Sequence, residues 1–137
     1  MSLFVLEDVL EVTGMDREGK FFERVSRIDG KTEGTAMDIT LDINTEIYPV
    51  ETNDKFSLVL TEKITEAEES PAYTKKFRLA EKASDNYDYV CFGTVYVVEE
   101  RTVCISFGGL LMQLRSESKI TGFTNGNKIY LMLKKIN

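Results

Sequence analysis

The chain has 137 residues, 42% of them hydrophobic, and a formal net charge of −6 at pH 7. That apolar content suffices for one core, so we expect a single domain over residues 1–137. No apolar run approaches the roughly 18 residues of a membrane-spanning helix, and the N-terminal apolar run contains acidic residues and has no basic lead-in. We therefore expect neither membrane insertion nor secretion. The acidic balance also argues against strong binding of nucleic acid.

The first half of the chain has the patterns of β-strands. "LFVLEDVLEV" favours a strand, although its apolar residues also suit an amphipathic turn, and "GKFFERVSRI" is rich in aromatic and β-branched residues. In "MDITLDINTEIYPV", apolar and polar residues alternate: Met37, Ile39, Leu41, Ile43 and Ile47 fall on one side, and Asp38, Thr40, Asp42, Asn44 and Glu46 on the other. This alternation predicts a strand with one solvated face. After Pro49, "ETND" and "KFSLVLT" predict a hairpin partner for that strand.

The second half contains one long connection and further strands. Residues 62–86 are charged, contain Pro71 and lack a sustained period, which predicts a flexible charged loop with at most a helical turn over 77–83. "YDYVCFGTVYVVEE" is apolar on both faces, as in a covered strand, and its Gly93 predicts a bulge. "VCISFGGLLMQLRSE" predicts a strand bent at two glycines, and Asn125-Gly126 predicts a tight turn between strands.

Seven or eight short strands with almost no helix predict an all-β fold. We expect an antiparallel barrel of about eight strands, OB-fold-like, because closure removes the exposed strand edges that favour aggregation.

The residue types that usually carry catalysis are sparse. The chain has no histidine, which removes the usual general base and zinc ligand. Asp38, Asp42 and Glu46 share one strand face, but positions i and i+4 of a strand lie about 13 Å apart, beyond the roughly 5 to 9.5 Å of paired glycosidase carboxylates. A carboxylate-dependent enzyme would need a second acidic strand, and none is evident. We expect no catalytic residues and no small-molecule substrate.

Cofactor and metal motifs also fail. "DINTE" lacks the glycine and glutamate of a calcium loop, and "DGKTEG" lacks the first glycine and the following helix of a P-loop. Cys91 and Cys104 lie in apolar surroundings without a C-x-x-C spacing or an adjacent cation, which favours buried, reduced and inert thiols. We expect no cofactor and no metal.

Basic residues concentrate once in the sequence. Phe21 and Phe22 stand among Arg17, Lys20, Arg24, Arg27 and Lys31. On a barrel, such a mixture is able to bind a single strand of nucleic acid by stacking and charge. We favour the simpler interpretation that both phenylalanines are core and that neighbouring carboxylates offset the cations, and we keep weak binding of single-stranded nucleic acid as the alternative function.

The segments also resemble a known family. "LEDVLEV", "GKFFERVSRI", "MDITLDINTEIYPV", "DKFSLVL", "YDYVCFGTVY", "SFGGLLMQL" and "KIYLMLKKI" follow the order and approximate spacing of the small OB-like subunit shared by the nuclear RNA polymerases I, II and III of eukaryotes. The resemblance spans almost the whole chain, and "LDINTEIYPV" and "SFGGLLM" are its most specific motifs. The connection over 62–86 is more compact than in familiar relatives, and the "EERT" link is very short.

The resemblance implies a non-catalytic, architectural subunit at the periphery of the polymerase, held against the largest subunit. It implies a nuclear protein, in nucleoplasm and nucleolus. Members of this family have also been considered weak, sequence-independent binders of single-stranded nucleic acid through the region that matches residues 16–40, where the five basic residues above lie.

Within the polymerase hypothesis, "SFGGLLMQL" is the candidate partner interface. No helix pattern follows it and no cation precedes Arg115, so a phosphate-binding loop is not indicated. The interface candidates are Gly108, Gly109, Leu110, Leu111 and Met112. Alternation predicts Leu110 and Met112 in the core and leaves Leu111, or the glycine backbone, to face the partner.

Overall fold

The computed structural model describes residues 4–17, 19, 23–62 and 87–136. These residues form eight strands: β1 Phe4–Met15, β2 Val25–Thr32, β3 Asp38–Asn44, β4 Lys55–Thr61, β5 Tyr89–Val98, β6 Thr102–Phe107, β7 Leu110–Arg115 and β8 Lys128–Lys135. The described part of the chain contains no helix able to cross a membrane. The predicted all-β class is confirmed. The predicted flexible loop lies, apart from Glu62, outside the described residues, as does its helical turn.

The strands close into a barrel in the order β1-β2-β3-β7-β6-β5-β8-β4, with β4 joined back to β1. Every pairing is antiparallel. The N-terminal strand closes the barrel because it pairs with both β2 and β4. The predicted hairpin between β3 and β4 is wrong, since β3 pairs with β2 and β7 while β4 pairs with β1 and β8.

The barrel interior is filled by alternate residues of the strands. In β3, Ile39, Leu41 and Ile43 are buried, as the alternation predicts, and the facing strands contribute residues such as Phe56 and Leu131. The outward positions of each strand therefore form a separate surface around this core.

One end of the barrel core is completed by a tyrosine that the sequence pattern did not single out. β3 ends at Asn44, whose carbonyl accepts hydrogen bonds from the amides of Ile47 and Tyr48. This turn leaves Ile47 70% exposed, so its predicted place in the core is wrong. Tyr48 is buried instead, with its ring stacked 5.3 Å from that of Tyr89, and its hydroxyl donates to Asp88 at 3.1 Å.

The double glycine is a turn between two strands. Gly108 and Gly109 have φ values of +64° and +98° and join β6 to β7 as a two-residue hairpin. Positive φ at both central residues is the requirement of a type I′ turn, and glycine meets it without steric cost. The predicted single bent strand is therefore wrong, although the chain does change direction at the two glycines where the bend was predicted.

Two other glycine predictions also change. The bulge of β5 lies between Val95 and Val97, whereas Gly93 is a point of close approach. A Cβ on Gly93 would meet the backbone oxygen of Ser106 and would lie 2.6 Å from the Phe107 ring. The Asn125-Gly126 turn exists but precedes β8 after an irregular segment, so it does not join two strands.

An aspartate of β1, Asp8, fixes the turn between β2 and β3. The half-buried Asp8 carboxylate accepts hydrogen bonds from the amides of Gly34 and Thr35 at 2.8 and 2.7 Å and from the Thr35 hydroxyl at 2.7 Å. It also accepts one from the Val9 amide. Burial acts to raise the pKa of Asp8, but these hydrogen bonds outweigh it and lower that pKa below its ordinary value of 3.8.

We predict that Asp8 contributes to stability mainly above pH 4. Because its pKa is lower in the folded chain than in the unfolded chain, this contribution is present at neutral pH and is lost as the pH falls through the folded-state pKa. Replacement of Asp8 by Asn should lower the free energy of unfolding by about 1 kcal/mol at pH 7. The difference in the free energy of unfolding between Asp8→Asn and wild type should be smaller in acid than at pH 7. Urea unfolding under the two conditions measures this.

The exposed Glu117, in the loop before β8, provides the matched control. Glu117→Gln should leave the free energy of unfolding unchanged at pH 7. An Asp8→Asn effect of the same size at pH 7 and in acid would show that the carboxylate charge is irrelevant.

Candidate interaction surface

The two most specific sequence motifs meet on the outer wall of the barrel. β3, from "LDINTE", pairs with β7, from "SFGGLLMQL", and Leu41 lies opposite Met112. Just beyond that pair, the Asp42 carboxylate accepts a hydrogen bond from the Leu111 amide at 3.0 Å. Asp42 of β3 thus fixes the Leu111 amide near the start of β7, although 69 residues separate the two in sequence.

Asp42 also binds an arginine of the neighbouring strand. The Arg27 guanidinium donates from Nε to Oδ1 at 2.7 Å and from an Nη to Oδ2 at 3.1 Å, which is a bidentate contact. Such paired donors favour a planar carboxylate and fix its orientation. Asp42 is only 8% exposed, so the prediction that it lies on a solvated face is wrong. The alternation placed it correctly outside the core, but Arg27 and the start of β7 cover it.

A pocket with both polar and apolar lining adjoins this ion pair. It has a volume of about 190 Å³, and we call it the Leu111 pocket; its lining is Arg27, Thr40, Tyr96, Cys104, Leu111, Met112 and Gln113. Leu111 and Tyr96 remain 39% and 44% exposed. The bulge in β5 accounts for Tyr96, because the extra residue has no partner in β6 and its ring projects outward.

The Tyr96 hydroxyl has a polar environment at the edge of the pocket. Partial burial and the nearby Cys104 thiol raise the pKa of this phenol, Asp42 adds to the increase, and Arg27 opposes it. Tyr96 is therefore neutral at physiological pH.

The predicted interface residues divide into exposed and buried groups. Gly108, Gly109 and Leu111 are exposed, Leu110 is half-buried against the core, and Met112 is buried. The expected burial of Met112 is confirmed, and that of Leu110 only in part. Only the exposed three are available to a partner, and their role as an interface stays a prediction.

A polar groove lies next to the Leu111 pocket. We call it the arginine groove; its volume is about 390 Å³ and its lining is Asp16, Arg17, Gly19, Arg27, Asp29, Thr40, Gln113 and Arg115. It unites two of the predicted basic residues, Arg17 and Arg27, with Arg115. Sequence reasoning missed Arg115 as a member, because only the pairing of β3 with β7 brings it there.

The predicted basic residues are largely offset by carboxylates. Arg17 lies 3.4 Å from Asp29, and Arg27 binds Asp42. Arg24 lies outside the groove and pairs with Glu46 at 3.0 Å. Lys31 is exposed at the far end of β2 and does not line the groove, and Lys20 lies outside the described residues.

The cysteines are free and half-buried, on different strands. The prediction of unpaired thiols is confirmed, but neither is fully buried. Burial raises the pKa of the Cys91 thiol, although a hydrogen bond with Tyr89 opposes this, so Cys91 is protonated at neutral pH. Over the described residues, no three His, Cys, Asp or Glu side chains are grouped so as to hold a metal ion.

The fold and this surface define a class: an OB-like antiparallel barrel whose described outer wall carries a small pocket beside a charged groove. The family model described as RNA polymerase Rpb8 matches residues 7–135. The chain therefore belongs to the RNA polymerase Rpb8 family, as the sequence resemblance indicated.

Curated relatives match over nearly their whole length. A Caenorhabditis briggsae protein named "Probable DNA-directed RNA polymerases I, II, and III subunit RPABC3" is 36% identical, with 98% of each chain covered. The Dictyostelium discoideum subunit rpabc3 of RNA polymerases I, II and III is 35% identical, covering 98% of this chain and 99% of its own. The Saccharomyces cerevisiae RPABC3 subunit is 31% identical, covering 98% and 100%.

We predict that Asp42 supports both the stability of the barrel and the order of β7. Asp42→Ala removes the bidentate acceptor of Arg27 and the acceptor of the Leu111 amide. The free energy of unfolding should fall by about 1 to 3 kcal/mol, since Arg27 is still partly hydrated. Exchange of the Leu111 amide hydrogen should accelerate relative to wild type. Urea unfolding and hydrogen exchange by NMR measure the two effects.

Glu46 provides a matched control, because it also pairs with an arginine but both side chains are mostly exposed, at 59% and 74%. Glu46→Ala should cost less than about 0.5 kcal/mol and leave Leu111 exchange unchanged. Equal effects of the two substitutions would contradict the importance of the Asp42 contacts.

Proposed function

We propose that this protein is a non-catalytic structural subunit common to nuclear RNA polymerases I, II and III, docked on the largest subunit. The observation that carries the proposal is the near full-length family match together with relatives named as subunits shared by these three enzymes. A location in nucleoplasm and nucleolus follows from that role. The Arabidopsis thaliana relative is named as a subunit of polymerases II, IV and V, so the set of polymerases differs between relatives.

The outer wall around the β6–β7 hairpin has the properties of a docking surface. Leu111 and Tyr96 expose apolar area beside a pocket, and polar groups surround them. Phe92, half-exposed on an outward position of β5, adds a third large side chain and packs against Tyr130 at a ring distance of 4.7 Å. Aromatic and apolar centres with a polar rim are typical of protein interfaces.

We predict that Leu111→Asp weakens assembly without unfolding the chain. A carboxylate at this exposed position would have to be desolvated in the interface, whereas in the free protein it stays in water. Tagged protein expressed in cells should recover at least tenfold less of the largest polymerase subunits than wild type. Its melting temperature should stay within a few degrees of that of wild type.

Ile47 is the matched control, because it is a more exposed aliphatic residue in the turn after β3. Ile47→Asp should recover polymerase at the wild-type level. If wild-type protein recovers no polymerase subunits at all, the proposed function is wrong. If Leu111→Asp unfolds the chain, Leu111 is a core residue and the interface lies elsewhere.

Weak binding of single-stranded nucleic acid is the second candidate function. The arginine groove and the adjacent Tyr96 ring favour it, since such proteins combine cations with stacking surfaces. The carboxylates that pair with Arg17 and Arg27, and the net charge of −6, oppose it.

We predict no binding of labelled single-stranded oligonucleotides in the micromolar range at near-physiological salt, measured by fluorescence anisotropy. The negative net charge and the paired arginines leave little to neutralise phosphates. Micromolar binding by wild type that is lost in Arg17→Ala would instead support the nucleic-acid function.

A further inference from the structure

The Leu111 pocket and the arginine groove are adjacent cavities on the outer wall. They share three lining residues, Arg27, Thr40 and Gln113. Thr40 and Gln113 lie directly opposite each other in the β3–β7 ladder, so they form a common floor. A ligand long enough to reach both cavities would contact Thr40 and Gln113 between them.

Three outward residues of β7 line these two cavities in sequence. Leu111, Gln113 and Arg115 alternate with the inward Met112 and Leu114. They present an aliphatic group, an amide and a guanidinium along one strand face. Since a strand rises about 3.3 Å per residue, the first and last of the three are about 13 Å apart at the backbone.

Arg115 differs from the other two arginines of the groove. Arg17 and Arg27 have carboxylate partners. Within the described part of the chain, the exposed Arg115 guanidinium forms no ion pair and the Gln113 amide makes no side-chain hydrogen bond. The exposed Asp38 lies opposite Arg115 in the β3–β7 ladder without an ion pair between them, so Arg115 is, among the described arginines of the groove, the one left to an external acid.

We propose that these two cavities bind an extended segment of the partner polypeptide in which an apolar side chain is followed or preceded, within about four residues, by Asp or Glu. The apolar side chain occupies the Leu111 pocket, and the Gln113 amide forms a hydrogen bond with the backbone of the segment. The Arg115 guanidinium donates two hydrogen bonds to the carboxylate. The proposal rests on the proposed function and adds the chemistry of the segment that docks.

A polypeptide fits these features better than nucleic acid does. Asp16 and Asp29 line the basic end of the groove and would repel successive phosphates, whereas a single carboxylate needs only Arg115. Among the described lining residues, Tyr96 is the only aromatic ring, so these residues offer no platform for a run of stacked bases.

The test uses tagged full-length protein recovered with polymerase from cells, washed at increasing KCl concentration. Arg115→Glu should lower the recovery of the largest subunit about ten- to a hundredfold at physiological salt. Arg115→Lys, which keeps the charge but lacks the fork, should fall between wild type and Arg115→Glu. Lys134→Glu makes the same charge change at an exposed position of β8, three strands from β7 around the barrel, and should behave as wild type.

The outcomes separate the two proposals. If Leu111→Asp loses the polymerase but Arg115→Glu retains it, the docking role stands and the acidic segment is wrong. If wild type recovers no polymerase, the proposed function itself fails. If nuclease treatment releases wild type from the polymerase, the groove binds nucleic acid and the polypeptide proposal is overturned.

A rescue experiment identifies the segment. A photo-crosslinking amino acid at Gln113 should attach to one peptide of the largest subunit. Replacing the acidic residue of that peptide by lysine should restore recovery of Arg115→Glu, because the charges are then exchanged across the contact. If lysine replacement of none of the acidic residues in the cross-linked peptide restores recovery, the proposed pairing with Arg115 is wrong.

Discussion

Closure of the barrel by β1 is the constraint on which the other features depend. Because β1 pairs with both β2 and β4, the sheet has no free edge among the described strands, and its inner face is a single apolar core. Every strand must then place its remaining side chains outside. The chemistry available for recognition is therefore confined to the outer wall, and it depends on which strands the topology makes neighbours.

On that wall, the buried Asp42 determines the geometry. A carboxylate with little access to water is costly unless its oxygens accept hydrogen bonds. Arg27 and the Leu111 amide supply them from two different strands. Asp42 thereby organises both the Leu111 pocket and the arginine groove, although it exposes almost no surface of its own. A residue of this kind shapes a surface from beneath it.

The sequence predicted the class of the fold and the inward residues of β3, because alternation depends only on the local pleat. The sequence-based predictions were wrong where contacts between segments distant in sequence determine the structure. Ile47 continued the alternation, but the strand had ended at Asn44 and Tyr48 took the core position through its contact with Tyr89. The β3–β4 hairpin failed because proximity in sequence does not determine pairing.

The candidate site shows the same division. Leu111 was predicted to face outward because it alternates with Leu110 and Met112, and such alternation is a local property of the strand. Arg115 was missed as a groove residue and Asp42 was misassigned, because both depend on β3 lying beside β7. The family resemblance came from motifs spread along the chain, yet motifs alone do not show that two of them touch.

The contact between Asp42 and Leu111 also has a consequence for the order of events during synthesis. The residues that shape the outer wall come from β2, β3, β5, β6 and β7, and β7 is the seventh of the eight described strands in chain order. A nascent chain that lacks β7 has no residue opposite Thr40 and no Leu111 amide to donate to Asp42. The surface is thus complete only after β7 has been synthesised and has paired with β3, which is a contact between segments far apart in sequence.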